Sequence, residues 1–286
     1  LYLGSLALET IMGIPMGYGV LGLALFAAAY SLYGGLSAVA WTDVIQVIFL
    51  ILGGLVTTYL AVNSVSNGNG FLIGMKNIYQ AAPQKFAMIL EPSNPEYKNL
   101  PGIGVLVGGM WVANLYYWGF NQYIIQRTLA AKSLKESQKG ILLAAGLKLI
   151  LPIIVVIPGI AAYIMIKDTA MFDSFKPDNA YPWLLQLLPS GLKGLAFAAL
   201  TAAIVSSLAS MLNSTSTIFT MDIYKSHFNK SASDAKMVTV GRITVVVALL
   251  IAILIAPQLE GLGQVFIFIQ EYTGVVSPGI LAVFLM

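Results

Sequence analysis

The sequence is short of the residues that build most enzyme and metal sites. It has no cysteine and a single histidine, His227. Disulfides, thiol nucleophiles and zinc–thiolate centres are therefore excluded, and one histidine cannot build a metal site by itself. HExxH, P-loop and GxGxxG motifs are also absent, and His227 lies in a polar loop, beyond reach of a membrane-embedded serine. We therefore expect a protein that is not an enzyme.

Charge is also scarce. Only 9% of the residues are charged, against about a quarter in an ordinary soluble domain. The 15 basic and 12 acidic residues leave a net charge of +3, and no basic block indicates a nucleic-acid partner.

Apolar stretches long enough to cross a lipid bilayer fill the chain, 58% of which is hydrophobic. We expect an all-α polytopic membrane protein, with residues 1–286 forming a single transmembrane domain. A partial span ends near Met12, and about seven further spans are predicted at 16–33, 41–62, 102–127, 141–166, 191–222, 239–256 and 265–286.

The connections between spans differ in length. Tight reversals are predicted at Gly13–Pro15 and Tyr33–Ala38, and long polar loops at 63–100 and 167–190. The chain opens without a methionine and stops inside an apolar run, which favours a piece of a longer protein.

The distribution of basic residues predicts the orientation in the membrane. With their flanks, the short loops at 128–140 and 223–238 hold Arg127, Lys132, Lys135, Lys139, Lys225, Lys230, Lys236 and Arg242. The opposite side carries fewer basic residues over longer loops and mixes them with acids. Because basic residues concentrate in short cytoplasmic loops, we expect 128–140 and 223–238 to be cytoplasmic.

Polar side chains interrupt the span at 191–222, where ten hydroxyl or amide side chains stand between Thr201 and Asp222. On a helix that advances about 100° per residue, one face carries the hydroxyl stripe, which consists of Ala203, Ser206, Ser207, Ser210, Ser214 and Thr217. Paired hydroxyls and a freed carbonyl of Ala203 suit a weakly held Na⁺. Helix packing by small hydroxyl residues is the alternative.

Isolated polar residues stand in other spans. Lys148 lies about one and a half turns inside its span, where a charge is costly and usually functional, although its side chain could instead extend to the interface. Asp43 is either functional or a cap of the first turn of its helix. Gln270, Glu271 and Glu9 are further examples, and Glu9 has no assigned role.

The span at 102–127 combines aromatic and amide side chains around Gly119 in "GGMWVANLYYWGFNQYIIQR". We expect a broken or kinked helix that lines a cavity. Asn114, Tyr116, Tyr117 and Trp118 are the residue types that bind a sugar, because amides satisfy its hydroxyls and aromatic rings cover its apolar face. An aromatic belt at the membrane interface is the alternative.

Four separated motifs resemble the sodium:solute symporter family, most closely bacterial sodium/galactose members within its sodium/glucose cotransporter branch. They are "YSLYGGLSAVAWTDVIQ", "WVANLYYWGFNQYIIQRTLAAKSLKE", "AAIVSSLASMLNSTSTIFTMDIYK" and "FIQEYTGVVSPGILAVF". The resemblance implies the leucine-transporter-type fold, built from two inverted five-helix repeats. The chain would run from the end of the third core helix through the tenth, and core helices 1 and 2 would be absent.

The resemblance also implies a role for each matched residue. Half of a Na⁺ site would come from the carbonyl of Ala203 and from Ser206 and Ser207, and Asp43 would lie near the Na⁺ path. Sugar contacts would come from Asn114, Tyr117, Lys148, Ser210 and Gln270. The gates would comprise Tyr117 under the sugar, flanked by Tyr116 and Trp118, and Phe266 on the outer side. The other hydroxyls would serve packing.

The implied function is sodium-coupled uptake of a galactose- or glucose-type monosaccharide by alternating access, with Na⁺ as the co-transported ion. The missing first core helix would supply the other Na⁺ ligands, so this chain would carry only part of each site. Two alternatives stay open: a symporter of another polyol or small solute, and a solute sensor built on a transporter fold.

Overall fold

The computed structural model describes residues 1–98, 102–262 and 264–286. These residues form helices joined by turns and short loops, without a β-strand among them. The α-helices are α1 (Tyr2–Met12), α2 (Met16–Ala29), α3 (Gly35–Val65), α4 (Phe71–Ala81), α5 (Met110–Gly119), α6 (Gln122–Leu129), α7 (Leu134–Lys148), α8 (Ile157–Ile166), α9 (Ala180–Leu185), α10 (Ser190–Ile218), α11 (Asp234–Ile255) and α12 (Val265–Leu285).

Wide-turn π-helical segments extend several of these helices. They cover Tyr30–Gly34, Val105–Gly109, Pro152–Val156 and Phe219–Phe228. The predicted long loops contain two short helices that hydropathy did not indicate, α4 and α9. Both are shorter than a membrane crossing, for which about 20 residues are needed.

Six helical segments of the described chain are long and apolar enough to cross a membrane. They are Met16–Tyr33, Ala40–Val65, Leu134–Ile166, Ser190–Phe228, Asp234–Gly261 and Val265–Leu285. These match six of the seven predicted spans, and α1 matches the partial span. The prediction of a helical, multi-pass membrane protein is therefore confirmed.

The seventh predicted span, 102–127, is a broken helix as expected. Phe120 leaves the helical conformation, and the extended Asn121 caps α6 by accepting a hydrogen bond from the Tyr123 backbone N–H at 3.1 Å. A Cβ on Gly119 would meet open space, and its φ is not positive. The break therefore depends on the Asn121 cap and not on the conformational freedom of Gly119.

The tight reversal predicted at Tyr33–Ala38 is wrong. The backbone is helical throughout, first as the π-helical segment that ends at Gly34 and then as α3. Two adjacent glycines often mark a turn in water. In a bilayer, however, an interrupted helix leaves backbone groups without partners, which favours a continuous helix. The other reversal is present, because α1 ends at Gly13 with φ 68° and α2 begins after Pro15.

The chain divides into two compact units, each built from two separate stretches of sequence. Unit 1 comprises Leu1–Gly53 and Pro189–Gly261, and unit 2 comprises Gly54–Leu188 and Leu262–Met286. In unit 1, a buried core of alanine, leucine and valine joins α2, α10 and α11 at Ala24, Ala27, Leu212, Val245 and Leu249. Close contact at the α1–α2 crossing requires small residues, because a Cβ on Gly19 would lie 2.9 Å from the Ser5 Cβ.

Unit 2 has its own core, formed by the end of α3 with α4, α8 and α9. Its buried members include Val62, Ile78, Ala161 and Leu184. The single hydroxyl proton of Thr58 is shared between the backbone carbonyls of Gly54, at 2.8 Å, and Ile153, at 3.0 Å. The contact with Ile153 ties α3 to the π-helical segment that precedes α8.

Candidate functional site

The hydroxyl stripe lies on α10, which is α-helical without interruption from Ser190 to Ile218. Its central serines, Ser206, Ser210 and Ser214, are buried, and Ser207 is half-buried. Three serines at a spacing of four residues therefore line the covered face of one helix, within unit 1. The predicted arrangement of the stripe on one helical face is present.

Asp43 lies beside this stripe. The Ser206 hydroxyl donates a hydrogen bond to the Asp43 carboxylate, although 163 positions separate the two residues in the chain. Asp43 is more than two turns inside α3, so the alternative interpretation as a cap of the helix's first turn is wrong. Two hard oxygen groups, the Asp43 carboxylate and the Ser206 hydroxyl, therefore lie in contact within unit 1.

Two further polar pairs cross between helices in the same unit. The Ser31 hydroxyl donates to Asn213 Oδ1 at 2.7 Å, and the hydroxyls of Tyr30 and Thr42 share a hydrogen bond. The first joins the π-helical segment after α2 to α10, and the second joins that segment to α3. The sequence held no signal for either pair, because their partners come together only by tertiary packing.

The outer part of the stripe has an ordinary structural role. Thr217 is exposed, and its hydroxyl donates to the Asn213 carbonyl at 2.9 Å, one turn earlier. Thr215 makes the same kind of bond to the Met211 carbonyl at 2.9 Å. Such bonds satisfy hydroxyls within their own helix, and the packing role of the other hydroxyls stays a prediction.

In unit 2, α5 and α7 bring three of the predicted residues together. The Trp118 indole N–H donates to Asn114 Oδ1 at 3.2 Å, and the Lys148 ammonium lies 3.9 Å from the centroid of the Trp118 ring. Tyr117 packs edge-on against Trp118, with ring centroids 5.1 Å apart. We refer to Asn114, Trp118 and Lys148 as the indole cluster.

The other residues predicted for this site in unit 2 are Phe266, Gln270 and Tyr116. Phe266 and Gln270 are exposed on α12, and Tyr116 is half-exposed on α5. Within the described part of the chain, neither Phe266 nor Gln270 makes a hydrogen bond or ring contact to the indole cluster. The residue that follows α5 does contact α12, since Phe120 stacks on Phe284 with centroids 4.8 Å apart.

The chemistry of the oxygen groups in unit 1 fits a monovalent cation. Among the described residues, no group of three or more His, Cys, Asp or Glu side chains could hold a metal ion. The hydroxyls of Ser206 and Ser207 and the single Asp43 carboxylate supply few formal charges. A weakly held and readily released cargo ion such as Na⁺ suits this set better than Ca²⁺, which takes six to eight oxygen ligands.

Comparison with known proteins gives consistent results. The sequence profile of the sodium:solute symporter family matches residues 1–286. A sodium/glucose cotransporter of Vibrio parahaemolyticus is 64% identical over 298 aligned residues, which cover 100% of this chain and 55% of that protein. The sodium/myo-inositol cotransporter 2 of Homo sapiens is 35% identical, with 100% of this chain and 46% of that protein covered.

One solved structure extends the similarity to the fold. It is the substrate-bound outward-open state of a Na⁺-coupled sialic acid symporter, with a TM-score of 0.74 and 27% identity, covering 91% of this chain and 54% of that one. The expected leucine-transporter-type fold is confirmed by this similarity. The chain spans about half the length of the curated relatives it matches.

Proposed function

Because the chain belongs to the sodium:solute symporter family, we propose that the intact protein is a sodium-coupled symporter of a galactose- or glucose-type monosaccharide. The observation that carries this proposal is the 64% identity, over the whole chain, with a relative named as a sodium/glucose cotransporter. The two clusters of polar side chains within otherwise apolar units are the features that such a protein requires.

Na⁺ would bind along α10 in this proposal. Ser206, Ser207 and the carbonyl of Ala203 supply uncharged oxygens, and Asp43 adds a negative charge beside Ser206. Movement of one Na⁺ down the membrane potential releases about 2.3 kcal/mol per 100 mV. Transport couples this free energy to the solute if Na⁺ binds preferentially to the state that accepts the solute.

The sugar contacts in this proposal are those that the family resemblance implies. Asn114 and Lys148 offer hydrogen bonds and Tyr117 offers a ring face, and they are assigned here together with Ser210 and Gln270. The gate residues are Tyr116, Trp118 and Phe266, together with Tyr117. A neutral solute is favoured because Lys148 is the only cation among the assigned groups, whereas an anionic solute would favour further positive groups.

The proposed orientation in the membrane follows from the basic residues. The loops at 128–140 and 223–238 are cytoplasmic, and the 64% identity with a relative from Vibrio parahaemolyticus supports a location in a bacterial inner membrane. The assignment of the chain to a single transmembrane domain, from the end of core helix 3 through core helix 10, belongs to the same proposal. Glu9 has no assigned role.

Uptake of labelled galactose into proteoliposomes that contain the full-length parent tests the function. Wild type is expected to accumulate galactose only with an inward Na⁺ gradient. Ser207→Ala is expected to raise the Na⁺ concentration for half-maximal uptake, because it removes a ligand oxygen. Asn114→Ala is expected to abolish uptake, because it removes an amide that binds the sugar.

Thr217→Ala is the matched control. Thr217 lies on the same helix, but its hydroxyl already donates to the Asn213 carbonyl. Uptake by the Thr217→Ala variant should therefore show the same Na⁺ dependence as wild type. Uptake that is independent of Na⁺ overturns the coupling. A wild type that binds galactose yet moves none under any gradient indicates a solute sensor.

A cyclic polyol is the second candidate solute. The observation that favours it is the 35% identity, across the whole chain, with a relative named as a sodium/myo-inositol cotransporter. Galactose and myo-inositol both present a ring of hydroxyls. Inhibition of labelled galactose uptake by unlabelled myo-inositol and by unlabelled galactose separates the two candidates. The preferred solute inhibits uptake at the lower concentration.

A further inference from the structure

The three side chains of the indole cluster are in direct contact through Trp118 and are not independent of each other. Trp118 contacts both of the other residues in the cluster. Its indole N–H donates to Asn114, and its ring face lies against Lys148. Asn114 and Lys148 lie on different helices, α5 and α7. One side chain therefore bridges the two groups to which sugar hydrogen bonds are assigned.

The chemistry of the partners fixes the orientation of the Asn114 amide. An indole N–H only donates, so its partner must be Oδ1, and Nδ2 donates in turn to the Met110 carbonyl at 2.8 Å. The two hydrogen bonds therefore require the same orientation of the Asn114 amide, with Oδ1 towards Trp118 and Nδ2 towards Met110. One N–H and one lone pair of Asn114 remain available for a ligand.

The Trp118 ring gives Lys148 a partner. Among the described residues, no carboxylate pairs with Lys148, whose ammonium lies over the indole face. Lys148 is exposed in the described chain. At the membrane depth that the sequence predicts for it, a cation is costly without a partner, and the negative face of an indole is the best aromatic site for it. A cation on the face also polarises the ring, which strengthens donation by the indole N–H.

We propose that Trp118 is a positioning residue, which fixes the Asn114 amide and holds the Lys148 ammonium until a neutral polyhydroxyl solute takes it over. This proposal rests on the proposed function, since it concerns the same sugar site. On binding, a solute hydroxyl oxygen accepts from the ammonium, and the free N–H of Asn114 donates to a second hydroxyl. Trp118 thus makes the two donors act together, which lowers the ordering cost of binding.

Galactose kinetics of the full-length parent in proteoliposomes at saturating Na⁺ test the role. Trp118→Phe keeps a ring face but removes the N–H, and it is expected to raise KM about fivefold, the effect of one ordinary hydrogen bond. Trp118→Leu removes both contacts and is expected to raise KM about 30-fold. The maximal rate is expected to change less than about twofold, whereas a residue that only flanks the gate changes that rate.

Trp111→Phe is the matched control. Trp111 lies on the same helix and is exposed, and its ring makes no hydrogen bond, ring-stacking contact or cation–π contact with the indole cluster within the described chain. Its KM should equal that of wild type. If Trp118→Phe and Trp118→Leu behave like this control while wild-type uptake remains Na⁺-dependent, the positioning role is overturned and the proposed function stands.

A double-mutant cycle tests the coupling to Lys148. Lys148→Gln is expected to raise KM less in the Trp118→Leu background than in wild type, because the ammonium has already lost the ring that holds it. Additive effects overturn the coupling, since they mean that the two side chains act independently.

Tryptophan emission reports on the same contact without transport. The emission of Trp118, obtained as the difference between wild type and Trp118→Phe, is expected to change when galactose and Na⁺ bind, because the ammonium leaves the ring. The change should be absent in Lys148→Gln, and its persistence there overturns the transfer of the ammonium. A wild type that binds galactose without Na⁺-dependent uptake overturns only the coupled function, while one that binds none overturns both proposals.

Discussion

At the scale of single residues, the Asp43–Ser206 hydrogen bond joins a carboxylate to the candidate Na⁺ site. The carboxylate accepts a hydrogen bond from the Ser206 hydroxyl, which leaves the lone pairs of the Ser206 oxygen available to a cation. It also fixes the rotamer of a buried side chain. Loss of Asp43 therefore removes both a nearby negative charge and the orientation of a ligand.

Asp43→Ala in the full-length parent is expected to raise the Na⁺ concentration for half-maximal galactose uptake about tenfold, the lower range for a hydrogen bond to a charged group. Asp43→Asn keeps an acceptor and should lie between Asp43→Ala and wild type. Ser206→Ala should raise the Na⁺ concentration for half-maximal uptake by a smaller factor in the Asp43→Ala background than in wild type, because both substitutions remove the same contact. Gln46→Ala on the same helix is the control, and an equal shift for Gln46→Ala would contradict the role of Asp43.

Gly74 shows how closely two helices approach in unit 2. A Cβ at this position of α4 would lie 2.1 Å from the Val62 backbone carbonyl oxygen, so the helix would have to move. Gly74→Ala is expected to destabilise the protein by about 1–3 kcal/mol, the range for overpacking. Thermal unfolding in detergent measures the loss, and Gly159→Ala on α8 is the control, because its Cβ would meet open space.

At the scale of elements, the break between α5 and α6 separates Asn114 and Trp118 on α5 from the polar helix α6. Asn121→Ala removes the cap that begins α6 and is expected to cost about 1 kcal/mol. Asn121→Asp keeps an acceptor and should restore most of that stability, as measured by thermal unfolding in detergent. Equal melting temperatures for Asn121→Ala and wild type would show that the cap does not hold the break.

Most of the elements could be predicted because hydropathy and helix length are local properties. The spans near 191–222 and 239–256 correspond to α10 with its π-helical extension and to α11. The glycine pair at Gly34 and Gly35 does not form the predicted reversal, because turn statistics from water do not apply where backbone groups need helical partners. Hydropathy does not predict α4 and α9, since their sequences are too short and mixed for a membrane span.

At the scale of the whole molecule, only part of the candidate site can be predicted from the sequence. The hydroxyl stripe follows from the helical period alone. The contact of Asp43 with Ser206 and that of Trp118 with Lys148 depend on how separate helices pack. The resemblance to a family could select these residues by position, but it could not reveal that Trp118 bridges Asn114 and Lys148.

The orientation in the membrane is the prediction that concerns the molecule as a whole. The chain has no cysteine, so single cysteines can be introduced at exposed loop positions of a full-length parent that lacks other cysteines. A membrane-impermeant maleimide added to cells with a permeable outer membrane should label Gln84→Cys and Asp173→Cys, which lie in the long loops. It should label Lys135→Cys and Lys230→Cys only after the inner membrane is opened.

This pattern is expected because basic residues in short loops resist translocation across the membrane. Labelling of all four positions after the inner membrane is opened is the control for accessibility. Labelling of Lys135→Cys and Lys230→Cys in intact cells, with Gln84→Cys and Asp173→Cys protected, would reverse the orientation. The inner gate assigned to Tyr117 would then face the outside, and the proposed direction of sodium-driven uptake would fail with it.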